Sequence, residues 1–386
     1  MISQQISQLT GSPILQFLKM AKQREAEGHQ IIHLEVGQPD FQPLQSILES
    51  TVAAIHEGKT GYTLSSGIPE LRQKISQYYQ EDYDLGINPH KEINITSGTK
   101  LGILASFYAI LDNGDHLLIP EPYWAAYPDI VRITGAKFIP ISMKQDFSLN
   151  QDEILAKIER GKTKAIVINS PNNPSSHVLT RDELVFLKNL VEDENIFIIS
   201  DEIYSDYYYI DAEFKTILSE FNDWRNNIIV VNGFAKTYSM TGYRLGWTLS
   251  NPDIADGILK VIQASTTCPT TFAQWGAITA IEQREEARKY INKVFPVRRE
   301  VLLEEIDKID GLSIGTIDGA FYGFIKYSFT NKSSQEVAED ILMKTNVCTI
   351  PGTAFGDSAE NYLRVTFARS IEEIREAFKR ISEYID

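Results

Sequence analysis

The sequence predicts an α/β protein with a mostly parallel central sheet covered by helices, together with a smaller α+β domain. Short apolar runs rich in β-branched residues recur along the chain: "EINITSG", "HLLIPEP", "KAIVINSP", "IFIISDEIY" and "NIIVVNGF". Segments long enough for helices separate most of them. Strands that are apolar on both faces and alternate with helices are typical of a parallel sheet buried on both sides.

The helices of this first part are predicted where apolar residues recur between the strands. The clearest are "TKLGILASFYAIL" after the first strand and "TRDELVFLKNLVEDE" after the third. The C-terminal part differs, with strands "FYGFIKY" and "YLRVTFA" around helices "SQEVAEDILMK" and "SIEEIREAFKRISEYI". Ser370 and Glu373 fit a capping box at the start of the last helix. Its apolar residues keep helical spacing: Ile371, Ile374, Phe378 and Ile381.

Length and charge limit the classes of protein and partner. A chain of 386 residues exceeds what one hydrophobic core usually serves, so we expect two domains. The formal net charge of -15 and the lack of a basic run argue against binding of nucleic acid. Neither a signal peptide nor a membrane-spanning run is apparent, and the two cysteines form no C-x-x-C pair. We therefore expect a soluble cytoplasmic protein without membrane contact.

A metal site is not expected. His29 and His33 in "HQIIH" have the spacing of helical metal ligands, but "IIHLEV" is better interpreted as a strand. Two histidines without a nearby third ligand seldom suffice.

Polar and aromatic residues follow each of the five strands, where a structural loop would not require them. They are Ser97, Gly98, Thr99, Tyr123, Trp124, Asn172, Asn173, Asp201, Tyr204 and Lys236. Ligands of parallel α/β sheets bind outside the carboxyl ends of the strands, so these residues could converge on one crevice. A lysine, an aspartate, an aromatic plane and a small-residue turn match the needs of pyridoxal 5'-phosphate, whose aldehyde, ring nitrogen and phosphate each require a partner.

The motifs resemble those of the fold type I, class I/II aminotransferase family. The similarity runs from "EVGQPDF" through "YTLSSGIPELR", "SPNNP", "SDEIY" and "FAKTYSMTGYRLGW" to "YLRVTFA". It implies pyridoxal phosphate as cofactor and a homodimer with active sites at the subunit interface. It also implies a large cofactor domain, residues 45–275, and a small domain built from both chain ends, residues 1–44 and 276–386.

The resemblance assigns catalytic roles to three residues. Lys236 in "FAKTYS" would form the Schiff base and then move the proton at the substrate Cα. Asp201 would face the pyridine nitrogen and keep it protonated. Tyr204, with Asn173, would donate to the 3'-oxygen of the ring. A lysine in a loop is more often solvated and an aspartate at a strand end is often a cap, but the buried strands before both residues favour function.

The remaining cofactor contacts concern the ring face and the phosphate. Trp124 resembles the stacking aromatic, with Tyr123 as the weaker alternative. The start of a helix at Ser97, Gly98 and Thr99 suits an anion, and Arg244 in "MTGYRLGW" adds a charged fork. Tyr62 in "GYTLSSG" would reach the phosphate from the other subunit.

Substrate contacts are also implied by the family. Arg364 in "YLRVTFA" would hold the α-carboxylate through two bonds, and Gly37 would approach the substrate with its backbone. Trp124 and Asn173 would border the substrate as well. Lys100 falls where prokaryotic aspartate aminotransferases carry a lysine for the distal carboxylate. A lysine in the first turn of a helix can instead simply point to solvent, although it opposes the helix dipole there.

Two positions depart from the family pattern. Gly233 stands where many relatives carry serine, which removes one phosphate hydroxyl. Ser175 and Ser176 in "PNNPSSH" replace the commoner "TG", and serine adopts glycine's conformations less freely.

The predicted function is transfer of the amino group of an L-amino acid, aspartate or another acidic donor, to 2-oxoglutarate. A β-lyase, cyclase or oxidase of the same fold would keep every residue named above, and dependence on an oxo acid would distinguish them. A non-enzymatic binding module is a further alternative, which the intact lysine, aspartate and two arginines disfavour.

Overall fold

Helices and strands alternate through most of the structure, a computed structural model that describes residues 2–210, 216–221 and 223–385. The first elements are α1 (Gln4–Ser7), α2 (Pro13–Ala26), β1 (Ile32–His33), α3 (Gln45–His56), α4 (Pro69–Tyr83), β2 (Ile93–Thr96) and α5 (Thr99–Ile110). They are followed by β3 (His116–Glu121), α6 (Tyr127–Thr134), β4 (Lys137–Ser142), α7 (Gln151–Lys157), β5 (Thr163–Asn169), α8 (Arg181–Glu194), β6 (Phe197–Asp201), β7 (Ile228–Gly233) and β8 (Gly246–Leu249). The last are α9 (Pro252–Ser265), α10 (Thr271–Glu282), α11 (Arg284–Asp307), β9 (Leu312–Ile314), β10 (Tyr322–Tyr327), α12 (Ser334–Thr345), β11 (Val347–Cys348), β12 (Ile350–Pro351), β13 (Tyr362–Thr366) and α13 (Ile371–Ile385).

The central sheet has seven strands in the order β2-β8-β7-β6-β5-β3-β4. Only β8 runs against its neighbours β2 and β7, so the predicted mostly parallel sheet is confirmed. Strands such as β7 are buried along their whole length, because apolar side chains of α3, α4, α8 and α10 cover one face and those of α5, α6 and α9 the other. This double cover explains why the strands are apolar throughout.

A second sheet lies in the C-terminal part, with four antiparallel strands in the order β12-β13-β10-β9. The two chain ends meet where β1 pairs with β11, Ile32 with Val347 and His33 with Cys348. The segment "IIHLEV" is thus a strand over two residues only. The capping box of the last helix is confirmed, since Ser370 Oγ accepts from the Glu373 amide at 3.1 Å. The domain limits after residues 44 and 275 stay a prediction.

Across the described residues, no helix combines the length and the apolar character that crossing a membrane requires.

Candidate active site

A cavity of about 160 Å³ opens at the carboxyl ends of the parallel strands. It brings together side chains from all five strand ends that the sequence singled out. The lining contains Gly98, Thr99, Lys100, Trp124, Asn169, Asn173, Asp201, Tyr204, Lys236 and Arg244. The cavity therefore has a cationic and an acidic group, an aromatic plane and a helix start within one small volume.

The Lys236 amine lies inside this cavity, three residues beyond the end of β7. Its Nζ donates to the carbonyl oxygen of Gly37, and the Tyr207 hydroxyl donates to the Lys236 carbonyl at 3.0 Å. The pKa of Lys236 is lowered to about 8, mainly by loss of hydration and also by the nearby Arg364, whereas Asp201 opposes the shift. A substantial neutral fraction near pH 7 makes the amine a nucleophile and a base.

Asp201 ends β6 with its carboxylate buried at 4% exposure. The Tyr127 hydroxyl donates to Oδ2 at 2.9 Å and the Ile203 amide to Oδ1 at 3.3 Å. Burial raises the pKa of Asp201 to about 6, although the Tyr127 hydrogen bond lowers it. Because the Tyr127 hydroxyl and the Ile203 amide are neutral donors, the carboxylate suits a cationic ligand group such as a protonated ring nitrogen.

Helix α5 begins at Thr99 next to Arg244, and the two make up a candidate anion site. Gly98 precedes the helix at φ 85°, and no side chain caps the first amides. A β-carbon placed on Gly98 would lie 2.5 Å from Arg244 Nη2, so the guanidinium rests directly on this backbone. Free helix amides and an arginine fork are suited to a phosphate.

Trp124 borders the cavity, whereas Tyr123 packs elsewhere. The Trp124 ring meets Tyr127 edge-on, with centroids 5.3 Å apart, and the Lys100 amine lies 5.1 Å from the Trp124 ring centroid. Tyr123 instead meets Phe138 edge-on at 5.2 Å. Of the two aromatic candidates, Trp124 is thus the one in position to stack on a ring.

Arg364 is almost fully buried on β13, at 1% exposure, next to the cavity. Its Nη1 donates to Asn173 Oδ1 at 3.2 Å and its Nη2 to the carbonyl of Glu35. The guanidinium carbon lies 4.6 Å from the Tyr322 ring centroid. A β-carbon on Gly37 would lie 2.0 Å from the Tyr322 hydroxyl, so only glycine allows this close approach.

Three polar neighbours of the site were not predicted. Asn169 ends β5, lines the cavity and accepts from the Asn173 amide at 2.8 Å, so the strand-end rule could have found it. Tyr127 holds Asp201, as described above. The Tyr322 hydroxyl hydrogen-bonds that of Tyr204 at 2.8 Å. Nothing in the local sequence of either tyrosine indicates these contacts.

Comparison with known proteins agrees with this geometry. A family model described as "Aminotransferase class I and II" matches residues 29–381. The chain belongs to this aminotransferase family. It is 36% identical to a probable aspartate/prephenate aminotransferase of Aquifex aeolicus, over all of this chain and 98% of the relative. It is also 36% identical to a (5-formylfuran-3-yl)methyl phosphate transaminase of Methanocaldococcus jannaschii, over the whole of both chains. The solved aspartate aminotransferase of Thermus thermophilus with maleate superposes with a TM-score of 0.93 at 30% identity, covering 99% of each chain.

The two departures from the aminotransferase pattern have structural reasons. At Gly233 a β-carbon would lie 2.6 Å from Thr99 Oγ1 and 3.1 Å from the Gly246 backbone, so the strand packs directly on the start of α5. Ser176 has a left-handed φ of 63°. Its hydroxyl donates to the Tyr322 carbonyl at 2.7 Å, which fixes this conformation. The "PNNPSSH" loop thus keeps a backbone that usually favours glycine.

Two predicted cofactor residues lie outside the cavity lining in this aminotransferase chain. Tyr62 is 89% exposed, and Ser97 is half-buried beside Gly98. A contact of Tyr62 with phosphate across a subunit interface stays a prediction, as does the homodimer itself.

Proposed function

We propose that this aminotransferase moves the amino group of an acidic L-amino acid, above all aspartate, to 2-oxoglutarate with pyridoxal phosphate held on Lys236. The observation that carries the proposal is one cavity that joins an amine of lowered pKa, a buried carboxylate and an anion site. Each fits one part of the cofactor: aldehyde, ring nitrogen and phosphate.

The residues that would hold the cofactor each address one part of it. Asp201 would pair with the ring nitrogen, and Trp124 would stack on the ring face. Tyr204 and Asn173 would donate to the ring oxygen. The phosphate would lie on the anion site, contacted by Ser97, Gly98, Thr99, Arg244 and Tyr62 of the partner subunit.

A homodimer is part of this proposal. Large apolar side chains near Tyr62 are exposed, including Val52, Ile55 and Leu64. Exposed apolar surface of this kind marks contact sites between proteins. A groove of about 920 Å³ is lined by Arg244 and by Thr51 of α3, the helix that also carries Val52 and Ile55. These features support a partner that completes the phosphate site.

The protein's own groups orient the substrate and move one proton. When bound, the cofactor supplies an aldehyde carbon that takes up the amino group and a ring that withdraws electrons from Cα. Arg364 would hold the α-carboxylate with two parallel bonds, which fixes the direction of the Cα–H bond relative to the ring. Lys236, as a neutral amine, would then take the Cα proton and return it to the carbon of the former aldehyde, two bonds from Cα. Asp201 would stabilise the positive ring nitrogen during this step.

The reaction is tested by its need for an acceptor. Purified cofactor-loaded protein receives one amino acid at a time, and the absorbance of the cofactor is followed with and without 2-oxoglutarate. An aminotransferase converts one equivalent of donor and stops until an oxo acid is added. Continued turnover with no acceptor would indicate a lyase and contradict the proposal.

The preference for acidic donors rests on Lys100, in the first turn of α5. Its amine lies beside Trp124 at the cavity, and loss of hydration and the nearby Arg244 lower its pKa. An ammonium in this place is well suited to a distal carboxylate. Replacing Lys100 with alanine is expected to lower kcat/KM for aspartate about ten- to a hundredfold, the effect of one lost charge-assisted bond of roughly 1.5–3 kcal/mol.

Alanine and phenylalanine serve as control donors in the same kinetic assay. Their kcat/KM should change far less, because neither side chain carries a carboxylate. A Lys91→Ala variant, which removes an exposed lysine just before β2, controls for the change in net charge. An equal loss with acidic and neutral donors would refute the role of Lys100 without touching the aminotransferase activity.

Capture of the cofactor by the apo-protein is expected to depend on pH. Only the neutral Lys236 amine attacks an aldehyde, and its pKa of about 8 means that the neutral fraction rises with pH and levels off above that value. Stopped-flow absorbance should therefore show a rate that climbs about tenfold from pH 7 and flattens near pH 9. Because Arg364 contributes to the lowered pKa, Arg364→Ala should move the step to higher pH. A rate independent of pH would argue against Lys236.

A further inference from the structure

A buried acidic residue lies directly behind Arg364. Glu35 follows β1 and has no exposed surface, and its carbonyl accepts from Arg364 Nη2. Its side-chain Oε1 lies 2.7 Å from His33 Nδ1. Burying a carboxylate is costly unless a cation compensates it. One cation, a protonated His33, is in hydrogen-bonding contact with this carboxylate. Burial lowers the pKa of Arg364, and the Glu35 carboxylate is among the groups that oppose this shift and favour the charged guanidinium.

His33 sits between two carboxylates. Its Nδ1 faces Glu35, and its Nε2 lies 3.0 Å from Glu25 Oε1. A neutral imidazole can donate from one nitrogen only, so two carboxylate acceptors favour the imidazolium. The hydrogen bond to Glu35 raises the pKa of His33 more than burial lowers it.

The other titratable and charged groups around the pair are few. Lys22 pairs with Glu25 at 2.6 Å on the outer side. Arg369 Nε donates to the His33 carbonyl at 2.7 Å. Burial raises the pKa of Cys348, beside Glu35, so this thiol stays neutral. None of these groups replaces His33 as a hydrogen-bonding cation for the Glu35 carboxylate within the described residues.

The segment from Glu35 to Gly37 touches both cationic groups of the site. The Glu35 carbonyl accepts from Arg364, and two residues later the Gly37 carbonyl accepts from Lys236. The backbone of this short segment therefore contacts both Arg364 and Lys236.

We propose that His33 and Glu35 form a positioning pair that keeps Arg364 available for the substrate carboxylate. While His33 is protonated, it compensates Glu35. When His33 loses its proton, Arg364 becomes the remaining counter-ion of Glu35 and binds substrate carboxylates less well. The inference rests on the proposed function in one respect, the binding of a substrate carboxylate by Arg364.

The direction with pH follows from the proton on His33. Because folding raises the pKa of His33, the imidazolium is fully present at low pH and is lost as pH rises through the raised value. The dissociation constant of a carboxylate ligand should therefore increase with pH. Titration of the cofactor bound on Lys236 also contributes, but it is shared by variants altered only at His33 or Glu35, so the ratio to the parent isolates the pair.

The test measures ligand affinity of the cofactor-loaded protein by calorimetry from about pH 6 to 9. The probes are succinate and 3-phenylpropionate. Each carries a carboxylate that Arg364 can bind, and neither has an amino group to transfer. Glu35→Gln should match the parent within about twofold at low pH and bind roughly three- to tenfold tighter at high pH, since Arg364 has no competing carboxylate. His33→Gln should bind roughly three- to tenfold weaker at low pH and match the parent at high pH.

Glu25→Gln is the matched control at the exposed end of the cluster. This variant keeps the protonated His33 as the partner of Glu35, so its ligand affinity should change with pH as that of the parent does. The change should occur at lower pH, because Glu25 helps to raise the pKa of His33. Ratios to the parent that stay constant with pH for both Glu35→Gln and His33→Gln would overturn the inference. If one variant fails to fold, the other still tests the inference, because each has its own expected change: tighter binding for Glu35→Gln and weaker binding for His33→Gln.

The two ligands separate this inference from the proposed donor. If the affinity ratio changes with pH for 3-phenylpropionate but not for succinate, the result would contradict the proposed acidic donor and support the positioning pair. A flat ratio with whichever ligand binds would contradict the pair, whatever amino acid the enzyme uses.

Discussion

Replacing Lys236 with alanine is expected to slow the chemical step by about four orders of magnitude or more, because one amine both bonds the cofactor and moves the Cα proton. Borohydride reduction of the parent should fix the cofactor to Lys236, and peptide mapping should find it there. The variant should take up less cofactor, retained through the anion site alone. The kinetic measurement is a single turnover with saturating donor, which separates chemistry from cofactor loss.

Lys100 provides the control, because among the described residues it is the other lysine that lines the cavity. The Lys100→Ala variant should still be labelled at Lys236 after reduction. Label on Lys100 in the parent, or parental turnover by Lys236→Ala, would remove the basis of the proposed chemistry. Lys236→Arg adds a second comparison, since it keeps a positive charge but cannot serve as a neutral nucleophile.

The sequence predicted the central sheet because its buried strands carry a strong signal. β5, β6 and β7 are apolar on both faces and separated by polar or helical segments. Two strands of this sheet were missed. β4 lies at the sheet edge, where most of its residues keep some exposure, so its pattern is weak. β8 is four residues long, begins two residues after Arg244 and runs antiparallel between β2 and β7. Its place depends on pairing that local sequence does not encode.

The site was predictable only as far as chain order places residues at strand ends. That rule led to Asp201, Trp124 and Lys236, which line one cavity. It could not lead to Tyr127, which lies 74 residues from Asp201, or to Tyr322, which lies 118 residues from its partner Tyr204. Such contacts arise from packing between distant segments, so no spacing of residues in the sequence indicates them. Glu35 went unnoticed for the same reason, because only its complete burial makes its charge informative.

Replacing Asp201 with alanine is expected to slow Cα proton removal by roughly a hundred- to a thousandfold, the usual effect of losing one preorganised electrostatic partner of the transition state. Lys236 and the anion site should still retain much of the cofactor, so the loss appears in kcat rather than in cofactor content. A donor deuterated at Cα gives the measurement, since proton removal should become fully rate-limiting and the isotope effect on kcat should rise.

Tyr127→Phe is the matched control for Asp201, because it removes the hydroxyl at 2.9 Å and leaves the charge in place. That hydrogen bond lowers the pKa of Asp201, so its loss should raise the pKa above the present value of about 6. Activity should therefore fall less than about tenfold and fall mainly at low pH, where the carboxylate gains a proton. Asp201→Ala should remain slow at every pH, since alanine has no carboxylate whose charge a higher pH could restore. If Asp201→Ala turned over like the parent, or if both variants lost activity equally across the pH range, the carboxylate would not be acting on the ring nitrogen.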